Sequence, residues 1–164
     1  MTLTLILTRH AKSAWDDPAL DDFDRPLSKR GRRDARRIGR WLRETGVFPQ
    51  RALASPALRT RETLAAIAPR LPAIFMDELF LAIPAAIATC IMAMPPERQI
   101  LIAHNPGIGN FVEQYAKTIP DNPRFHAYPT AATTILDFDI DGWSDLRPGT
   151  GRVRAFVTPG DLAG

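Results

Sequence analysis

The chain has 164 residues, 45% hydrophobic and 24% charged, with a formal net charge of +3. That length and balance fit one globular domain with its own core and leave little room for a second. The single Cys90, in the apolar stretch IATCIMAM, can build neither a disulfide framework nor a thiolate metal site and reads as buried filler.

In chain order, Leu3 to Thr8 is the first predicted strand. No positive residue precedes it and a charged pair follows it, so it does not read as a signal peptide, and the chain is expected in the cytoplasm. Ser28 is placed to cap a first helix that stops at Gly46, with Ala35, Ile38 and Leu42 spaced to face a core. A second strand, Arg51 to Ala54, precedes a helix expected to start at Ser55-Pro56, with Leu64, Ile67, Ala68 and Leu71 at helical spacing. Ala73 to Met76 follows as a strand, then a helix from about Pro84 to Met94. The stretch LFLAIPAAIATCIMAMPP contains Pro84 and falls short of the roughly 20 apolar residues of a membrane span. Gln99 to Ala103 is the fourth strand, Asn105-Pro106 opens the fourth helix, and Thr133 to Phe138 and Arg152 to Val157 close the set. Strands alternating with helices predict a single α/β domain over residues 1–164, a three-layer α/β/α sandwich around a mostly parallel sheet.

Charge is unevenly placed. Residues 1–70 hold 15 basic and 8 acidic groups, residues 71–164 hold 6 and 10. Much of the excess lies in KRGRRDARRIGRWLR, which reads as a solvated helix face, with docking to an acidic partner as the sharper alternative. Apart from Trp41 no aromatic is interleaved to stack on bases, so no nucleic-acid partner is expected.

In open parallel sheets ligands sit beyond the carboxyl ends of the strands. Arg9 and His10 follow the first strand, Arg59 lies in the first turn after the second, and His104 follows the fourth. Each alone reads as an ordinary surface arginine or loop histidine. Together, two of the three histidines and two arginines fall at equivalent topological positions, two of them at helix N-termini, which predicts a cationic pocket for phosphate.

The strings LTRHAKS, RPLSKRG, SPALRTRET and AHNPG, in this order and spacing, together with YPTAATTIL, resemble the histidine phosphatase superfamily, with its phosphoglycerate mutase-like fold, and within it the small SixA-like branch of phosphohistidine phosphatases. The resemblance implies that His10 takes the phosphoryl group as a phosphohistidine intermediate that water then hydrolyses. It also implies that Arg9, Arg59 and His104 contact the phosphoryl oxygens, and that no metal or cofactor takes part. A neutral imidazole is a competent nucleophile near neutral pH, and the charge of the transferring group is met by positioned cations. Glu78, in MDELF, stands where the family often places a proton-donating acid and reads equally well as a solvent-facing carboxylate; Asp77 is its fallback. Lys12, Ser13 and Asn105 are candidate phosphate contacts, with loop or capping roles as the alternative. Arg25 is expected to pair with the acidic run DDFD, and His126 to lie in a loop near the rim. Ala11 stands where most members have glycine, which would bring a Cβ near the phosphate.

The chain has no segment spare for a lid, so the site is expected to be open and suited to a phosphorylated protein, such as a histidine phosphotransfer domain, with inorganic phosphate as product. A broad small-molecule phosphomonoesterase and a non-catalytic phosphate-binding module are the alternatives.

Overall fold

The structure, a computed structural model, describes residues 1–162. Six strands, β1 (Leu3–Arg9), β2 (Arg51–Ala54), β3 (Ala73–Phe75), β4 (Gln99–Ala103), β5 (Thr133–Phe138) and β6 (Arg152–Val157), form one sheet in the order β3-β2-β4-β1-β5-β6. The β3-β2, β2-β4 and β4-β1 pairs are parallel, whereas β1-β5 and β5-β6 are antiparallel. The expected mostly parallel sheet of a phosphoglycerate mutase-like sandwich is thus observed, with an antiparallel edge.

Period-two alternation divides the strand side chains between two cores. Leu5, Leu7, Leu101, Ala103 and Leu136 point to one face, under α3 (Pro84–Met92), α4 (Gly107–Tyr115) and the short α5 (Pro123–Ala127). Ile6, Ala52, Ala54, Ile100, Ile102 and Ile135 point to the other, beneath α1 (Lys29–Thr45) and α2 (Leu58–Ile67). The chain ends its described part in α6 (Pro159–Leu162). Strands β1, β4 and β5 are buried on both faces, which is why their sequences read as unbroken apolar or threonine-rich runs.

Helix α1 begins and ends as its caps dictate: Ser28 Oγ accepts from the Gly31 amide, and Gly46 closes the helix in the left-handed region at φ 76°. Helix α2 departs from expectation. It starts at Leu58, not at Ser55, because the Ser55 hydroxyl accepts from the Ala57 amide and the Ser55 carbonyl accepts from Thr60 Oγ1, making a separate turn before the helix. Cys90 is buried in α3 beside the first core, and no helix of the described residues is long and apolar enough to cross a membrane.

Candidate active site

Parallel pairing aligns the carboxyl ends of β1, β2 and β4 at one edge of the sheet, with Arg9 opposite Ala103 and Ala54 opposite Ile102. Arg9, His10, Arg59 and His104 consequently meet in one pocket of about 270 Å³, shared with Lys12, Ser13, Trp15, Asp22, Arg25, Leu81, Asn105 and Thr130. Three larger grooves lie elsewhere on the surface, but no histidine lines any of them.

The loop after β1 is held from both sides. The amide of His10 donates to the Ala103 carbonyl, and the amide of Ala131 donates to the carbonyls of Arg9 and His10. The Ala11 amide donates to Thr63 Oγ1 on α2, and the Lys12 carbonyl accepts from both the amide and the hydroxyl of Ser28. This explains the pairing of the strings LTRHAKS and RPLSKRG: the second braces the first. Gly31 lies so close to the Lys12 carbonyl that a Cβ there would collide with it. Ala11 turns its methyl into the core between the sheet and α1, fully buried, and does not line the pocket, so the expected crowding of the phosphate by a Cβ is not observed.

Hydrogen bonds fix the state of both histidines. His10 Nδ1 lies 2.8 Å from the Ala11 carbonyl, which can only accept, so the proton sits on Nδ1 and the lone pair on Nε2. Burial, with the charges of Arg59, Arg9 and Arg25 adding to it, holds the His10 pKa down at about 4 against the opposing pull of that carbonyl. His104 Nδ1 faces Arg59 Nη2 at 3.3 Å and Nε2 faces Ser55 Oγ at 2.8 Å. A guanidinium only donates, so Nδ1 accepts and Nε2–H donates to the serine. Burial first, then His10 and Arg59, lower the His104 pKa to about 3. The two rings stand 5.2 Å apart, and Phe80 packs edge-on against His104 at 5.4 Å.

Arg9 donates from Nη1 to the Tyr128 carbonyl, and its Nε, like that of Arg59, is buried without an acceptor. Arg59, the second residue of α2, and Asn105, two residues before α4, line the pocket, while Leu58 and Gly107 do not. Arg25 pairs with Asp22 at 2.9 Å, as the acidic run suggested, yet it also lines the pocket, donates to Ser13 Oγ and lies 3.3 Å over the Trp15 ring. Arg59 donates to both the carbonyl and the carboxylate of Asp22. Asp22 and Trp15 were not legible as site residues, because their contacts depend on how the loop after β1 folds back.

Of the remaining candidates, Lys12 is exposed at the pocket and Ser13 is buried in it as an acceptor for Arg25. The Asn105 amide is already engaged, donating to the carbonyls of Ala127 and Tyr128 and accepting from the Gly109 amide, which makes it a brace for α4 as well as a wall of the pocket. Glu78 and Asp77 fall on an exposed 3-10 turn, Asp77–Leu79, and neither lines the pocket; the charge of Glu78 instead helps burial to raise the Cys90 thiol. His126 sits in α5, not in a loop, and lies 3.0 Å from Glu113 outside the pocket.

Known proteins resemble this chain in sequence and fold. The family model described as the histidine phosphatase superfamily (branch 1) matches residues 5–80. An uncharacterized chloroplastic protein of Arabidopsis thaliana is 57% identical over 60 residues, 37% of this chain but only 28% of that protein. An uncharacterized protein of Mycobacterium tuberculosis is 29% identical over 163 residues, covering 92% of this chain and 99% of its own. Among solved structures, a candidate phosphohistidine phosphatase SixA from Nakamurella multipartitia superposes with a TM-score of 0.81 at 26% identity, covering 97% of each chain. The protein histidine phosphatase SixA complexed with tungstate superposes at 0.78 with 25% identity, over 98% of this chain and 99% of that one. By this fold and these likenesses, the chain is similar to the histidine phosphatase superfamily and, over nearly its whole length, to SixA phosphohistidine phosphatases.

Proposed function

We infer that the substrate is phosphohistidine in a protein and that His10 is the nucleophile. Its Nε2 lone pair attacks phosphorus while the bond from phosphorus to the leaving nitrogen breaks, and the phosphoryl group resides on His10 until water displaces it as inorganic phosphate. The Arg9, Arg25 and Arg59 guanidiniums meet the charge on the phosphoryl oxygens, and the neutral state of His10 keeps its lone pair free at physiological pH. His104 holds Arg59 in place, its Nδ1 accepting from Arg59 Nη2.

The observation that carries this reading is the proton supply. Among the described residues the one carboxyl group lining the pocket is Asp22, and hydrogen bonds and charge from Arg59 and Arg25 outweigh its partial burial and hold its pKa below the ordinary carboxylate range, so it is a poor acid. A site without a good acid suits a leaving group that departs without one. A phosphoimidazole protonated on its other nitrogen leaves as neutral imidazole, whereas an alkoxide must be protonated as it leaves. The pocket, about 270 Å³, is smaller than the roughly 300 to 1,000 Å³ of sites that enclose a whole small molecule, which suits a substrate whose body stays on the surface. Cytoplasmic residence belongs to the same reading, with Cys90 as a free, buried thiol.

The test is turnover, without added metal, of a phosphohistidine-bearing phosphotransfer domain, p-nitrophenyl phosphate and an alkyl phosphate, each against His10→Ala. Turnover of the first two that vanishes in the variant, with the alkyl ester far slower, is expected. An alkyl phosphate turned over as fast as the aryl ester would overturn the leaving-group argument and favour a broad small-molecule phosphomonoesterase.

A further inference from the structure

Arg59 has the most deeply buried guanidinium of the site, its side chain 3% exposed, and among the described residues its one ion pair is with Asp22, at 3.0 Å. Asp22 Oδ2 accepts from Arg59 Nη2, its backbone carbonyl accepts from Arg59 Nη1 at 2.6 Å, and Oδ1 accepts from both Nε and Nη2 of Arg25. A carboxylate thus occupies the donors of two arginines, in the geometry in which a guanidinium also grips a phosphoryl group. The fixed side of this contact is the arginines. Arg25, 9% exposed in its side chain, is tied to Ser13 and stacked on Trp15, whereas the Asp22 side chain is 49% exposed on a 3-10 turn, Asp22–Asp24, that buries none of its residues.

We propose that Asp22 is the specificity-determining residue of this site: a tethered carboxylate that keeps free carboxylates off Arg25 and Arg59 and yields them to a phosphoryl dianion. The inference rests on the phosphatase reading above. A tethered group acts at an effective concentration on the order of millimolar. A carboxylate from solution offers the same pair of oxygens and gains nothing by replacing it. A phosphoryl group brings nearly twice the charge and three acceptor oxygens, enough to engage Arg9, Arg25 and Arg59 together. Asp22 can then turn to water without unpacking anything. The charges agree: three guanidiniums against one carboxylate, Lys12 aside, leave a surplus of two positive charges for a dianion. This filter matters for an enzyme that reads protein surfaces, where aspartate and glutamate far outnumber phosphoryl groups.

The experiment measures tungstate binding by titration calorimetry and malonate inhibition of p-nitrophenyl phosphate hydrolysis in the wild type, Asp22→Asn, Asp22→Ala and Asp24→Asn. Asp24 lies on the same turn, is exposed and makes none of the contacts that Asp22 makes, so its variant removes the same charge without touching Arg59. The alanine variant covers the case in which asparagine still accepts from the arginines. Expected are tungstate binding about ten-fold tighter in an Asp22 variant, the worth of one charge-assisted hydrogen bond, malonate inhibition absent from the wild type, and wild-type behaviour in Asp24→Asn. Unchanged or weaker tungstate binding in both Asp22 variants overturns the inference alone, as does equal tightening in Asp24→Asn or tighter tungstate binding without malonate inhibition. Failure of every protein to bind tungstate overturns the phosphoryl site itself and this inference with it.

Discussion

Unfolding at pH 7 and at pH 5 distinguishes two buried neutral histidines from ordinary exposed ones. His10 and His104 are 7% and 2% exposed, and their folded pKa values lie at about 4 and about 3 against 6.5 for the free side chain. The unfolded chain therefore binds protons on both as the pH falls through 6.5, while the native fold refuses them until about 4 and about 3. Stability is full above pH 6.5, declines below it and levels off only once the folded groups protonate. From pH 7 to pH 5 each histidine removes about 1.5 to 2 kcal/mol, so the pair removes about 3 to 4 kcal/mol, a large share of the ~5 to 15 kcal/mol that holds a typical domain. Urea unfolding followed by circular dichroism at both pH values reads this directly. His10→Gln, which cannot titrate, should show about half of the wild-type loss. Equal stability at the two pH values, or a full loss retained in the glutamine variant, would refute the assignment of both histidines as buried and neutral.

Further changes probe the supports of the site. Glu78→Gln should leave kcat/KM on p-nitrophenyl phosphate within about two-fold, since Glu78 is exposed and outside the pocket; a hundred-fold loss would restore it as the acid. Gly31→Ala drives a Cβ into the backbone carbonyl of Lys12 and should cost about 1 to 3 kcal/mol, together with a rise in KM as the loop after β1 shifts; a wild-type melting curve would show that the brace has slack. Tyr128→Phe removes a fully buried hydroxyl that donates to the Leu7 carbonyl at 2.7 Å and lies 2.9 Å from Thr134 Oγ1, for an expected loss of about 1 to 3 kcal/mol in urea unfolding. Arg9 contacts the carbonyl and not the hydroxyl of Tyr128, so tungstate affinity should stay near wild type in that variant.

The strands and the strand-end residues were legible because they follow from local rules. Apolar runs of four to seven residues bounded by Gly, Pro or charge mark buried strands, and a parallel sheet gathers whatever follows them at one edge. Arg9, His10, Arg59 and His104 came together on that logic alone. Asp22 did not, because its meaning comes from Arg59, 37 positions away, and no periodicity encodes how an irregular loop folds back over a site. Ser55 misled for a related reason: serine before proline is a good capping signal, but here the hydroxyl serves its own turn and His104. Glu78 had position in its favour, yet a single 3-10 turn decides whether such a carboxylate faces a pocket or water.

The outer strands of the sheet carry a consequence for behaviour in a crowded solution. An open sheet has two unpaired borders that invite pairing with another chain. Here one border, β3, is only three residues long, too short to template a ladder. The other, β6, carries Arg152 and Arg154, held by Asp139 and Asp137 of the neighbouring segment at 2.6 and 2.7 Å. Charged side chains on one border and the shortness of the other disfavour self-association by strand pairing, and the end of the sheet that bears the pocket stays free for whatever carries the phosphoryl group.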